Sequence, residues 1–178
     1  QNITISVTDA NDSAPVFTSN SSFSAAENQI AIATMTASDP EDDAIVFTIS
    51  GSELSITSAG VLTFSSAPDY EIQSSYSATV TASDGTNSTD QSITVTVTDV
   101  DDVAPVFSSS ASFSAAENQT AIGTVTATDT DTDSGSISFT VSGSELSITS
   151  VGVLTFSSAP DYDTQSSYSA TVTASDGT

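Results

Sequence analysis

The sequence predicts an all-β chain of tandem Greek-key sandwiches with about seven strands each, linked end to end. Three observations carry this. First, apolar residues alternate with Ser and Thr at a period of two: Tyr76, Ala78, Val80 and Ala82 in one run, Ile93, Val95 and Val97 in another. Second, turn residues cut the alternation at short intervals, at Ser50-Gly51, Ala59-Gly60, Ala67-Pro68-Asp69 and Asp84-Gly85. Third, the chain repeats itself. The segment Pro15–Gln29 returns as Pro105–Gln119, Ser50–Glu71 as Ser142–Asp163, and Ser74–Thr86 as Ser166–Thr178. No stretch carries helical periodicity.

Each element follows from this pattern. Gln1–Thr8 aligns with Gln91–Thr98, which places Ile3, Ile5 and Val7 on Ile93, Val95 and Val97. Residues 1–9 therefore read as the last strand of a preceding repeat. Domain 1 is expected over 10–99. Its core is expected from Phe17, Phe23, Ile32, Phe47, Leu54, Ile56, Leu62, Phe64, Tyr76, Val80, Ile93, Val95 and Val97. Domain 2 is expected over 100–178, without its own last strand. Glu117 follows Glu27 by 90 residues and Asp161 follows Asp69 by 92. The two extra residues fall between Asp39 and Gly51 of the first copy, and a length change there marks a surface loop. The chain opens in mid-pattern, so it reads as an excerpt of something longer.

Charge is the second strong signal. The 178 residues include 23 Asp and Glu but no Lys, Arg or His, a net charge of −23. No side-chain salt bridge can form. The acids are clustered: Asp9/Asp12, Asp39/Glu41/Asp42/Asp43, Asp69/Glu71, Asp99/Asp101/Asp102, Asp129/Asp131/Asp133 and Asp161/Asp163. Carboxylates a few ångströms apart repel and raise each other's pKa. Without basic residues, only an external cation can relieve them, and an all-oxygen donor set suits a hard ion, with calcium first. Strand counting sends Glu27, Asp69 and Glu71 to one end of domain 1, and Asp129, Asp131 and Asp176 to the facing end of domain 2. Both trios are expected to converge on Asp99, Asp101 and Asp102.

Composition also excludes. The negative charge argues against nucleic acid and anionic membrane surfaces. No apolar run approaches the roughly 20 residues needed to span a bilayer, so direct membrane insertion is not expected. There is no cysteine to brace the fold. Without His, Cys, Lys or Arg, nucleophile–base and phosphate chemistry lack their parts, and no catalytic residues are assigned. Asp69/Glu71 as a glycosidase pair would need aromatic sugar platforms that are missing. The Asp129–Gly135 run lacks the glycine, the terminal Glu and the helices of an EF-hand loop. Asp42, Asp43, Asp90, Glu53 and Glu145 read as solubility charges. The Asn-x-Ser/Thr triplets starting at Asn2, Asn11, Asn20, Asn87 and Asn118 arise readily by chance in a Ser/Thr-rich chain.

The motifs resemble those of cadherin repeats. The linker pattern Asp-x-Asn-Asp-Asn-x-Pro is similar to Asp9–Pro15 and Asp99–Pro105. An early Glu matches Glu27 and Glu117. The Asp-Arg-Glu pattern matches Asp69/Glu71 and Asp161/Asp163. The Asp-x-Asp pattern matches Asp129/Asp131 and, with Glu second, Asp39/Glu41. The Asp-x-Gly pattern corresponds to Asp84-Gly85 and Asp176-Gly177. The resemblance covers the whole chain and implies cadherin-type sandwiches. One calcium set would be Glu27, Asp69, Glu71, Asp99, Asp101, Asp102, Asp129, Asp131 and Asp176. A second would join Asp9, Asn11, Asp12, Asp39, Glu41 and Asp84 to the Glu117, Asp161 and Asp163 equivalents of a preceding unit. The chain departs from the pattern at Asp101, Ser13 and Val103. There is no Trp, so the strand-swapping anchor of classical cadherins has no counterpart.

The function expected is a calcium-rigidified structural repeat of a large extracellular or cell-surface protein, a microbial adhesin or fibre, stacking head to tail with further copies. Two alternatives stand beside it: a module recognising a surface glycan or protein through its loops, and a filament subunit that polymerises by strand donation.

Overall fold

The computed structural model describes residues 1–131 and 136–177, all of them strand, turn or coil. The chain divides into two compact units, Gln1–Asp99 and Val100–Thr178. Asp133 and part of the loop that absorbs the two-residue length change lie outside the described residues.

The first unit is a sandwich. Its first two runs are each interrupted. The first gives β1 (Val16–Phe17) and β2 (Ser22–Ala26), the second β3 (Ala31–Thr34) and β4 (Ala37–Ser38). Then come β5 (Val46–Ile49), β6 (Leu54–Ile56), β7 (Val61–Phe64), β8 (Ser75–Ser83) and β9 (Ser88–Thr98). One sheet has the order β2-β9-β8-β5 and the facing sheet β3-β7-β6, with β1 paired to β4. The β2-β9 pairing is parallel, with Phe23 opposite Val95. β8 and β9 pair antiparallel, with Tyr76 opposite Val95.

The period-two alternation sends Ile93, Val95 and Val97 inward, each no more than 2% exposed. They meet Phe47, Leu54, Leu62, Phe64 and Val80 from the other strands. The remaining expected core residues, Phe17, Phe23, Ile32, Ile56 and Tyr76, pack around them. Met35 also enters the core, at 1% exposure. It lies in the break between β3 and β4, within the alternating Thr34–Ser38 run.

Met35 is held by the turn at Gly60. Its N–H donates to the Gly60 carbonyl at 2.8 Å, and Gly60 N–H donates to Thr57 O at 2.9 Å. Gly60 has φ of +87°, and a Cβ there would collide with the Met35 carbonyl oxygen. Gly152 repeats the arrangement against Val125. Gly60→Ala should therefore destabilise unit 1 by about 2–4 kcal/mol through left-handed strain plus displacement of Met35. Chemical denaturation reads this directly; an unchanged midpoint would contradict it.

The second unit reuses the plan with less strand. It has β10 (Val106–Phe107), β11 (Ala121–Thr124), β12 (Ala127–Thr128), β13 (Ser138–Val141), β14 (Leu146–Ile148), β15 (Val153–Phe156) and β16 (Val172–Ser175). Ring pairs recur, with Phe64–Tyr76 at 5.1 Å between centroids and Phe156–Tyr168 at 5.0 Å. Among the described residues there is no counterpart of β9. Its two neighbours change accordingly. Residues 112–116 match β2 in sequence but form no strand, and 167–171 match the first half of β8 but form none either. The part that survives, β16, is the part that also pairs with β13. In unit 1 the matching residues Val80–Ser83 pair with β5. A segment keeps its ladder only where a partner is present.

Gln1–Thr8 also carries no ladder. Ile3, Ile5 and Val7 are 77%, 83% and 92% exposed. No helix among the described residues is long and apolar enough to cross a membrane.

Candidate metal centres

One end of unit 1 gathers Glu27, Glu71 and Asp99. A carboxylate oxygen from each lies within 4.8 Å of the others. Three local features build this. Glu27 leaves β2 beside the end of β9, its N–H donating to Thr98 O at 3.1 Å. The next residue, Asn28, adopts φ of 60°, a left-handed turn that Asn tolerates, and donates to Pro68 O at 3.0 Å. That contact brings the Pro68–Ile72 turn against Glu27, whose Oε2 accepts the Tyr70 N–H at 2.8 Å. Glu27 is only 3% exposed. Asp69 has a different task there: its Oδ1 accepts the Ile72 N–H at 3.1 Å and closes the turn.

One end of unit 2 gathers Asp101, Asp129, Asp131 and Asp176. Asp131 is 5% exposed. Its Oδ2 accepts the backbone N–H groups of Asp102 at 2.9 Å and Val103 at 2.8 Å, which ties the linker peptide to the loop after β12. Asp129 Oδ1 accepts the Asp131 N–H at 3.1 Å. Burial pushes the Asp101 carboxyl above its ordinary value, and the nearby Asp176, Asp131 and Asp129 carboxylates push it further.

The corresponding end of unit 1 has the same scaffold. Glu41, in the place of Asp131, accepts the Ser13 N–H at 3.1 Å and the Ser13 hydroxyl at 2.8 Å. Asp39 Oδ1 accepts the N–H groups of Glu41 and Asp43 at 2.9 and 3.2 Å. Asp84 caps the turn after β8, accepting from the N–H groups of Thr86 and Asn87. Asn87 then donates from Nδ2 to Asn11 Oδ1 at 2.9 Å and to Ser13 O at 3.1 Å. Desolvation opposes the Asp84 charge, but the donors from Asn87 and Thr86 outweigh it and hold its carboxyl below the ordinary value. Asp9 and Asp12 are exposed. So are Glu117, Asp161 and Asp163, although Glu117 still accepts the Tyr162 N–H at 3.0 Å.

The donor set fits a hard cation. Asp39 Oδ2, Asp101 Oδ1 and Asp129 Oδ2 are buried and accept no hydrogen bond from the protein. A buried anionic oxygen with no donor is costly, and each sits among other carboxylates in a chain that has no basic side chain to offer. An oxygen-coordinated divalent ion satisfies all three.

Comparison with known proteins bears on the fold. A family model described as a bacterial Ig domain matches residues 11–98. Mouse protocadherin Fat 4 is 33% identical over 142 residues, which is 71% of this chain but 3% of that protein. The EC1-2 segment of human protocadherin-24 superposes with a TM-score of 0.73 at 21% identity, covering 92% of this chain and 93% of that one. The EC22-24 segment of mouse cadherin-23 gives 0.74 at 21% identity, over 92% and 60%. The chain has the fold of cadherin repeats.

Within these repeats, sequence reasoning named every acid above but missed Asn87. The available signal was the Asp84-Gly-Thr-Asn87 spacing, in which Asp84 accepts the N–H three residues on. The two shifted carboxyls also set a pH dependence for the metal-free repeats. Asp101 has a raised folded pKa, so the folded state binds more protons than the unfolded one. Stability should rise as pH falls through that raised value and be complete at the ordinary carboxylate value. Asp84 has a lowered folded pKa, so its contribution is lost only below the ordinary value. The Tm of calcium-free protein should therefore rise as pH falls toward the ordinary carboxylate value; a Tm that falls throughout that approach would contradict the crowding of Asp101, Asp129, Asp131 and Asp176.

Proposed function

We propose that this chain is a calcium-stiffened structural repeat of an extracellular or cell-surface adhesion protein or fibre. The observation that carries the reading is the set of buried carboxylate oxygens without donors, Asp39 Oδ2, Asp101 Oδ1 and Asp129 Oδ2, in a chain with no positive side chain. Calcium would be held at the end of unit 1 by Glu27, Glu71 and Asp99, with Asp69 as the neighbouring turn residue. In unit 2 it would be held by Asp101, Asp102, Asp129, Asp131 and Asp176. Asp9, Asn11, Asp12, Asp39, Glu41 and Asp84 would form the matching set of unit 1, completed by the Glu117, Asp161 and Asp163 equivalents of another copy.

The ion supplies charge neutralisation and nothing reactive. The work of the chain is positional: the Tyr70 N–H holds one oxygen of Glu27, the Asp102 and Val103 N–H groups one oxygen of Asp131, and the Glu41 and Asp43 N–H groups one oxygen of Asp39. Asp99 and Asp101 are two residues apart in the sequence, so metal held at each would restrict the backbone between them, which suits a head-to-tail array. The near-identity of the two copies supports a spacer role, in which units repeat one mechanical task. The chain spans 3% of the curated relative, so the activity of any longer protein belongs to this proposal too.

Calorimetric titration of calcium-free protein tests it. Saturable calcium binding is expected at a stoichiometry above one. Magnesium should bind more weakly, because an irregular carboxylate cage suits the larger ion. No binding heat and no thermal stabilisation at millimolar calcium would overturn the reading.

A further inference from the structure

The turn after β8 sets an amide among the oxygens of unit 1's own acidic end. Asn87 Nδ2 donates to Asn11 Oδ1 at 2.9 Å and to Ser13 O at 3.1 Å, and lies 3.4 Å from Asp84 Oδ2. Asn11 and Ser13 stand 76 and 74 residues away in sequence, so the fold and no local motif makes this meeting. An amide –NH2 carries two hydrogens, so three oxygens around one nitrogen are more than it can serve fully. The turn aims the group from behind. Asn87 N–H donates to Asp84 Oδ1 at 2.6 Å, and Asn87 O accepts the Asp84 N–H at 3.3 Å and the Ser83 hydroxyl at 3.0 Å. Glu41 grips Ser13 through its N–H and its hydroxyl. Asp39, whose Oδ1 holds the Glu41 N–H, is 9% exposed, and its Oδ2 meets no donor.

We infer that the Asn87 amide competes with the cation for the oxygens of Asn11, Ser13 and Asp84, and so sets how tightly this end of unit 1 takes its ion. This rests on the calcium reading above and adds a competitor built into the chain. The three oxygens are an amide carbonyl, a peptide carbonyl and a carboxylate, all hard donors. A hard cation holds such oxygens at roughly 2.3–2.6 Å, so one bound to all three needs the space that Nδ2 fills. The –NH2 group is the positive end of the amide dipole. It serves the oxygens as a weak internal cation, and a true cation repels it. Asn87 is therefore a positioning residue and not a ligand: it pins Asn11 and Ser13 to the turn until the ion displaces it. A contact made only in the metal-free state lowers affinity by the stability it gives that state. Removing it should tighten calcium binding and weaken the metal-free fold together. A purely structural hydrogen bond, kept in both states, would weaken both alike and leave the affinity unchanged.

The test compares the 178-residue parent chain with Asn87→Ala and Asn87→Asp. Both variants keep the backbone bonds that close the turn, and Asn87 lies outside the left-handed region, so both should fold. Calcium is titrated while the Ser13 amide signal is followed by NMR, a probe local to these oxygens. Asn87→Ala should bind roughly three- to tenfold more tightly than the parent, since each neutral hydrogen bond given up is worth a factor of a few. Its Tm should drop in chelator and match the parent's at saturating calcium. Asn87→Asp should exaggerate both effects, because its carboxylate faces Asp84 without metal and joins the donors with it. In the parent, the side-chain –NH2 signals that Asn87→Ala removes should exchange slowly with water in chelator and quickly in calcium. A parent that binds calcium beside an Asn87→Ala chain of equal or weaker affinity would remove this inference alone. So would an equal Tm loss in both conditions, or –NH2 signals still protected at saturating calcium. A parent that binds no calcium would remove the calcium reading itself, and this inference with it.

Discussion

Stripping calcium from the chain should lower its melting temperature by roughly 10–20 °C. One site held at a hundred times its Kd contributes about 2.7 kcal/mol to the folded state, and 1 kcal/mol moves the Tm of a small domain by about 4–8 °C. The repulsion that calcium neutralises adds to this. Asp101, Asp129, Asp131 and Asp176 converge in unit 2, and Glu27, Glu71 and Asp99 in unit 1, with no Lys or Arg in the chain to relieve them. Two features make the result diagnostic. Sodium chloride should partly rescue the metal-free protein, since exposed carboxylates are screened within about 10 Å at 0.1 M salt. Small-angle scattering should show a larger radius of gyration as the peptide around Asp99–Asp102 loosens. Calorimetry with and without chelator checks the first expectation. Overlapping melting curves would remove any structural role for metal.

The second large effect is a change of sign at Glu27. Glu27→Gln keeps the shape and an oxygen that can still accept the Tyr70 N–H, now made at 2.8 Å. It removes one charge from the Glu27, Glu71 and Asp99 group. In calcium the variant should be less stable than the parent by about 1–3 kcal/mol, because a ligating charge is lost. In chelator it should be as stable or more so, because repulsion is lost too. Asp131→Asn should behave alike, since its amide oxygen can still accept from Asp102 and Val103. Glu53→Gln, on an exposed loop, should change neither curve. Equal destabilisation of Glu27→Gln in both conditions would mean that Glu27 serves packing alone.

Local information reached far in this chain because its main signal is local. Alternation at period two lies in the sequence itself, and it identified β8 and β9 and all three inward residues of β9. Turn residues marked Gly51, Gly60 and Gly85, each of which has positive φ. Met35 was not among the expected core residues, although Thr34-Met35-Thr36-Ala37-Ser38 alternates and the alternation runs on through the break between β3 and β4. Asp69 and Glu71 looked equivalent as a pair two residues apart. Only the path of the turn after Pro68 separates them, spending Asp69 on an N–H and bringing Glu71 to Glu27 and Asp99.

Glu27 and Glu117 show where local information ends. Both stand in the same Ala-Glu-Asn-Gln sequence, with Asn28 and Asn118 at the same φ of 60°, and each accepts an N–H from the following Tyr turn. Yet Glu27 is buried and Glu117 is exposed. Phe23 is half-buried where Phe113 is exposed, and residues 75–79 lie in β8 where 167–171 form no strand. By itself the sequence determined the sandwich class, the repeat and the clustering of the acids, because alternation, turn chemistry and charge are properties of neighbouring residues. The tertiary structure alone decided that Glu27 is buried and that β2 carries a ladder, because burial and strand pairing need a partner segment many residues away. For unit 1 that partner is β9.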